Sequence, residues 1–199
     1  MKPLRLEEVW RILPPLDELR PVHDLLATTS TPDPARAWAG SGELGTVGDR
    51  LVARDALDRS GPGLAERMGA HLAAVYRRVG EALGCLGAGD ATGAARAFLA
   101  LSALEEEEGR TERAAAWARA AALLARDRAD GRLAALALRR WGRALRAQGA
   151  FGEARDRYLE SLAAAEAVSD ARGAAEAAVG AGNVLEDQGA WDRAAELYR

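Results

Sequence analysis

The feature that most constrains this chain is that its C-terminal part repeats itself every forty residues. A forty-residue shift sets Gly142 on Gly182, Leu145 on Leu185 and Gln148-Gly149-Ala150 on Gln188-Gly189-Ala190. It also sets Phe151 on Trp191, Ala154 on Ala194 and Tyr158 on Tyr198. Upstream, Ser102 falls under Gly142, Gly109 under Gly149, Ala114 under Ala154 and Asp130 under Asp170, with the large aromatics lost. A period of this length marks a supersecondary unit that buries its apolar face only by stacking on its neighbours.

Each recurring residue type has a physical reason. Glycine inside a helix costs ~1 kcal/mol against alanine, so Gly142 and Gly182 imply close contact with the facing helix of the same pair. Gly149 and Gly189 stand where one helix ends in a left-handed residue before the next begins. Ala154 and Ala194 are small where the returning helix crosses the first, and Phe151, Tyr158, Trp191 and Tyr198 are expected to fill the space between successive pairs. In the first copy Thr111, Ala118 and Glu105 replace an aromatic, an aromatic and a leucine.

Helical periodicity and short turns bearing glycine or aspartate place helices at about 64–87, 91–107, 111–126, 131–148, 151–168, 171–188 and 191–199. Their connections are short, so neighbours should be antiparallel. A second register, pairing 64–87 with 91–107 through Gly89, Ala94 and Phe98, stays open. Alanine dominates from about Gly61, aromatic content is 5%, and long β-branched runs are absent, which favours close-packed helices over sheets.

Residues 91 to 199 resemble the tetratricopeptide family in its long-period form. The resemblance is carried by Trp141-Gly142, Leu145, Gly149, Phe151, Ala154 and Tyr158, then by Gly182-Asn183, Leu185, Gly189, Trp191, Ala194 and Tyr198. It implies an all-α, right-handed α-solenoid of antiparallel helix pairs, with the first helix of each pair lining a concave binding groove. It further implies a scaffold or regulatory module that binds a peptide or protein segment. The alternative is a ligand-sensing regulatory domain of a larger transcriptional or signalling protein, distinguished by saturable binding of a small metabolite. Asn183 matches an asparagine that some family members use to hold a peptide backbone or terminal carboxylate. Arg143 and Ala103 stand at the equivalent positions, so the two-asparagine clamp is not reproduced.

The first sixty residues differ. Six of the seven prolines lie before residue 35, and Thr28-Thr29-Ser30-Thr31-Pro32-Asp33-Pro34 reads as a loop. Short helices around Leu6–Leu13, Leu16–Leu26 and Asp49–Arg59 are expected to pack as a cap (1–60) on the repeat domain (61–199). The last repeat is incomplete, so the chain reads as a fragment of a longer repeat protein or as one that buries its apolar C-terminal edge against another copy.

Charge narrows the partners. The chain has 27 basic and 30 acidic residues, a formal net charge of -3, so counterion release gives it no general affinity for nucleic acid. The N-terminus carries Glu7 and Glu8 where a secretory signal would be apolar, and no window reaches the length of a membrane span, so a cytoplasmic protein is expected. One cysteine, Cys85, with His23 and His71, makes neither a disulfide framework nor a credible zinc site. Gly40-Ser41-Gly42-Glu43-Leu44-Gly45 has dinucleotide-loop spacing, and Gly87-Ala88-Gly89-Asp90-Ala91-Thr92-Gly93 is a looser relative. Neither follows a strand, so both read as turns. Glu105-Glu106-Glu107-Glu108 reads as a solvated helix end rather than an acid/base pair. We therefore expect no enzyme, no catalytic or metal-binding residues and no cofactor.

The groove offers candidate contacts. On the helix at 131–148, Leu133, Ala137, Trp141, Ala144 and Leu145 form the packing stripe, leaving Arg139, Arg143 and Arg146 on another face. The same register presents Glu176, Val179, Asn183 and Glu186 in the next repeat, and Arg96, Leu99, Ala103 and Glu106 in the one before. The middle of the groove is thus expected to be basic between acidic neighbours. Two readings follow: Arg139, Arg143 and Arg146, with Asn183, hold an acidic segment through forked guanidinium donors, or Glu106, Glu176 and Glu186 already pair with them.

Overall fold

The computed structural model describes residues 70–198. Within them the chain forms seven helices and no strand: α1 (Ala70–Gly87), α2 (Ala91–Glu107), α3 (Thr111–Asp127), α4 (Gly131–Ala147), α5 (Phe151–Ala167), α6 (Ala171–Asp187) and α7 (Trp191–Leu197). The expected helices at 1–60, their capping role, the boundary at 61 and the glycine-rich loop at 40–45 lie outside the described residues. From α2 onward each helix starts twenty residues after the last, and every connection is three residues long. The described residues divide into two compact units, 70–97 and 98–198, with the boundary inside α2.

The turns explain this regularity. Each of α1 to α6 ends in a Schellman motif: after α4, the Gly149 N–H donates to the Arg146 carbonyl at 2.9 Å and the Ala150 N–H to the Leu145 carbonyl at 3.0 Å. The residue that reverses the chain has positive φ, +77° at Gly149 and +74° at Gly189. The two glycines therefore occupy the left-handed position their spacing requires. Alternate turns solve the same problem differently. After α3 and α5, Ala129 and Ser169 take φ of 54°, and the next residue caps the following helix. The Leu133 N–H donates to Asp130 Oδ1 and the Gly173 N–H to Asp170 Oδ1, both at 3.0 Å. Of the helices that follow a glycine, α3, α5 and α7 have no side-chain cap at Arg110, Ala150 or Ala190, whereas α2, after Gly89, is capped by Asp90.

From α3 to α7 consecutive helices pack on one another, and α6 also packs on α4. Leu145, Ala154, Tyr158, Ala181 and Val184 form one buried cluster, with Trp141, Phe151 and Leu197 against it. Close approach depends on glycine. A Cβ on Gly142 would lie 3.1 Å from both the Ala154 carbonyl oxygen and Tyr158 Cδ2, and one on Gly180 would overlap Tyr158 Cε1. The Tyr158 ring is thus held between glycines of two different helices, one of its own pair and one of the next. Gly182 likewise faces the Tyr198 ring.

The weaker first copy repacks the same space. Ser102 and Ala118 take the registers of Gly142 and Tyr158, and the missing aromatic volume returns from other positions. The buried rings of Phe98 and Trp117 stack with centroids 5.4 Å apart. Two sequence expectations are corrected. Glu105 is not part of a solvated helix end: it occupies the register of Leu145 and Leu185, is only 1% exposed, and meets Arg110 Nε at 2.7 Å and Arg113 Nε at 3.1 Å. Of the four glutamates only Glu107 and Glu108 are exposed. Trp191 does not fill a gap between pairs, being 64% exposed at the start of α7.

Candidate functional site

The residues that could meet a partner lie along α2, α4 and α6, the helices related by the forty-residue shift. The stacking gives each of them two side faces and an outer strip. Gly180, Glu176 and Asp187 turn back toward the preceding pair; Arg139 and Arg146 turn forward. Arg140 shares Gly180's register and turns back toward α2.

Ion pairs follow from these directions. On the forward side, Arg139 pairs with Glu176, which also accepts from Arg172 Nε at 3.0 Å. Arg146 holds Asp187 in a fork, Nε to Oδ2 at 2.5 Å and Nη2 to Oδ1 at 3.1 Å. On the backward side, Arg140 Nη1 lies 3.3 Å from Glu106 Oε2. Arg143, between the two faces, lies 3.7 Å from the same oxygen and is 72% exposed. The basic middle between acidic neighbours is therefore present, and two of the three candidate arginines already meet acids on the next helix.

The electrostatics match this arrangement. Burial raises the Glu106 pKa, opposed by Arg140 and Arg143, and its Oε1 is buried without a hydrogen-bond partner. Burial, then Arg140, lowers the Arg139 pKa. The hydrogen bond between Arg146 and Asp187 raises the pKa of the arginine and lowers that of the aspartate. Surface pairs of this kind contribute ~0–1 kcal/mol each, so they orient the arginines more than they stabilise the fold.

Other candidates stand as follows. Asn183 lies in the register of Arg143 and accepts from the Tyr198 hydroxyl at 3.0 Å. Glu186 is half-buried, and the acid that meets Arg146 is its neighbour Asp187. Leu99 is buried rather than lining the face, while Arg96 and Val179 are exposed. The packing stripe on α4 is as expected except that Trp141 is only half-buried, its ring faced by the Arg157 and Arg119 guanidinium carbons at 4.8 and 5.8 Å from the centroid. Sequence reasoning missed Arg140 and Asp187. The signal was available, because both stand one residue from a candidate and on the side that faces a neighbouring helix.

The glycine-rich segment at 87–93 spans the turn between α1 and α2, with Gly89 at φ +75° and the Gly93 N–H donating to Asp90 Oδ1 at 2.8 Å. Among the described residues no three His, Cys, Asp or Glu side chains cluster as a metal site, and no helix is long and apolar enough to cross a membrane. The fold and this face define an all-helical protein built of stacked, repeat-like helix pairs. No family model matches the chain, and no curated protein matches it.

Proposed function

We propose that this chain is a tetratricopeptide-type protein-interaction module, a right-handed α-solenoid acting in the cytoplasm. On this reading the face shared by α2, α4 and α6 is the inner surface of the solenoid and binds an acidic, extended segment of another protein. Arg143 is the primary anchor, with Arg139, Arg146 and Asn183 flanking it.

The observation that carries this reading is the contrast among the arginines. Arg139 and Arg146 are held by Glu176 and Asp187, whereas Arg143 is 72% exposed with only a 3.7 Å approach to Glu106. Its guanidinium can turn a fork of donors to an incoming carboxylate without breaking a close pair. The surrounding acids favour a short acidic stretch over a polyanion such as nucleic acid, which would meet Glu106, Glu176 and Asp187 along with the arginines. No catalytic role is assigned to any of these residues.

The test is fluorescence anisotropy of labelled acidic peptides against the full chain. Saturable binding that weakens with salt, and falls about tenfold or more in Arg143→Ala, is expected for a lost charge-assisted contact. Arg157→Ala, a control that faces Trp141, should leave affinity unchanged. Equal affinity of wild type and Arg143→Ala for every acidic peptide that binds would sink the reading.

A further inference from the structure

The forty-residue register lines up three pairs of side chains, one member from each helix of a pair: Ala103 with Ala118, Arg143 with Tyr158, and Asn183 with Tyr198. In the last of these the Tyr198 hydroxyl donates to Asn183 Oδ1 at 3.0 Å, so the tyrosine reaches the outer strip of α6 and finds its acceptor there. The two alanines offer nothing polar. Arg143 and Tyr158 differ from both pairs. A guanidinium carries donors only, so the Tyr158 phenol faces a second donor where Tyr198 faces an acceptor.

Packing fixes where that phenol stands. Its ring is held between Gly142 of α4 and Gly180 of α6 and is 4% exposed. The hydroxyl oxygen still touches solvent and makes no hydrogen bond to a described residue. Burial raises its pKa, against the pull of Arg146, Arg143 and Arg139 and with the help of Glu106, so it stays protonated and able to donate at neutral pH. The nearby acids are engaged elsewhere. Glu106 Oε2 lies 3.3 Å from Arg140 Nη1 and only 3.7 Å from Arg143, while Glu176 and Asp187 meet Arg139 and Arg146.

We infer that Arg143 and Tyr158 together form a seat for one carboxylate, an aspartate or glutamate side chain of the acidic segment proposed for this face, a reading on which the inference rests. Arg143 brings its fork of donors from the outer strip, and the Tyr158 hydroxyl donates a further hydrogen bond to one carboxylate oxygen. The ligand oxygen then does in this repeat what Asn183 Oδ1 does in the next. Neither Ala103 with Ala118 nor Asn183 with Tyr198 offers a second such seat, so the bound acid fixes the register of the segment along the face.

Tyr158→Phe keeps the ring between the glycines and removes only the unbonded hydroxyl, so its thermal melt should match that of wild type. The probes are acetate and a labelled hexaglutamate peptide, each titrated into the full chain. Acetate should shift the nuclear magnetic resonances of the Tyr158 ring and the Arg143 Nε–H along one saturation curve. Tyr158→Phe should weaken hexaglutamate by about tenfold, for loss of a hydrogen bond to a charged group. Arg143→Asn gives the phenol an acceptor, as in the next repeat, and should close the seat; in that background Tyr158→Phe should cost no further affinity, a coupling that a merely structural tyrosine would not show. Acetate shifts at Arg143 without Tyr158 overturn the inference. So does a Tyr158→Phe chain that binds hexaglutamate as wild type does while Arg143→Ala does not, and that result leaves the acidic-segment reading standing. Acetate shifts at both groups, weakened at Arg143 by Tyr158→Phe, without binding of hexaglutamate, support the seat and tell against that reading alone. If neither probe binds, both fall.

Discussion

Glu105 is a carboxylate in a position that the other two repeats give to leucine, and replacing it tests the register of the whole stack. Its side chain is 1% exposed, and its partners Arg113 and Arg110 are 14% and 35% exposed. Removing one member of such a buried pair costs ~3–5 kcal/mol, because the remaining charge is left without compensation. Glu105→Ala should fall in that range. Glu105→Gln keeps the volume and some hydrogen bonding and should cost ~1.5–3 kcal/mol for the charged bonds lost. The other repeats supply the remedy: where Glu105, Arg110 and Arg113 stand here, the middle copy has Leu145, Ala150 and Glu153. The triple replacement Glu105→Leu, Arg110→Ala, Arg113→Glu should recover wild-type stability or exceed it by ~1–4 kcal/mol, as replacements of buried ion pairs by apolar groups do. Urea unfolding followed by far-ultraviolet circular dichroism measures all three. The reasoning fails if Glu105→Gln changes stability by less than ~0.5 kcal/mol, the mark of a surface residue. It fails equally if the triple variant is no more stable than Glu105→Ala.

Three further outcomes follow from the turns, the glycines and the half-buried Glu106. Ala129→Gly and Ser169→Gly should stabilise by about 0.5 kcal/mol, since they relieve a left-handed L-residue at some cost in chain entropy; Gly149→Ala should destabilise by ~1 kcal/mol although a Cβ there meets nothing within 4 Å. Thermal melts of the three variants check this sign pattern. Gly180→Ala should cost ~1–3 kcal/mol by driving a methyl into the Tyr158 ring, more than the helix propensity of alanine returns, as denaturant titration will show. Glu106 has a folded-state pKa raised by burial, so the folded state binds its proton more readily than the unfolded chain. Wild-type stability relative to Glu106→Gln should therefore rise as pH falls from neutral through that raised pKa, and level off below the ordinary carboxylate value; parallel urea titrations across this range would expose the opposite slope.

Most of the helical frame was legible because its signals are local. Gly149 and Gly189 mark the ends of α4 and α6, Asp130 and Asp170 mark the starts of α4 and α6, and the apolar spacing between them leaves little freedom. The close approaches at Gly142 and Gly182 could also be read, since a glycine repeated inside two helices needs a compensating contact. What escaped depends on how the turns and helices pack rather than on a residue type that announces it. The left-handed Ala129 and Ser169 carry no glycine to announce them, and their conformation is imposed by the fixed three-residue connection. Glu105 looked solvated in a run of four acids because its compensating arginines lie beyond the turn. For Arg139 and Arg146 the sequence left two readings open, an external acid or pairing with Glu106, Glu176 and Glu186; Glu176 does meet Arg139, but Arg146 meets Asp187 rather than Glu186, because only the stacking decides which side of α6 faces back.

The central claim is that helix pairs stack in a forty-residue register, and the ring of Tyr158 reports on it most directly. In a uniformly labelled sample, nuclear Overhauser contacts from the Tyr158 ring protons should reach the α-protons of both Gly142 and Gly180, on two helices that sequence alone does not join. Contacts to Gly142 without Gly180 would leave isolated helix pairs and contradict the stack, and contacts to neither would contradict the pair itself.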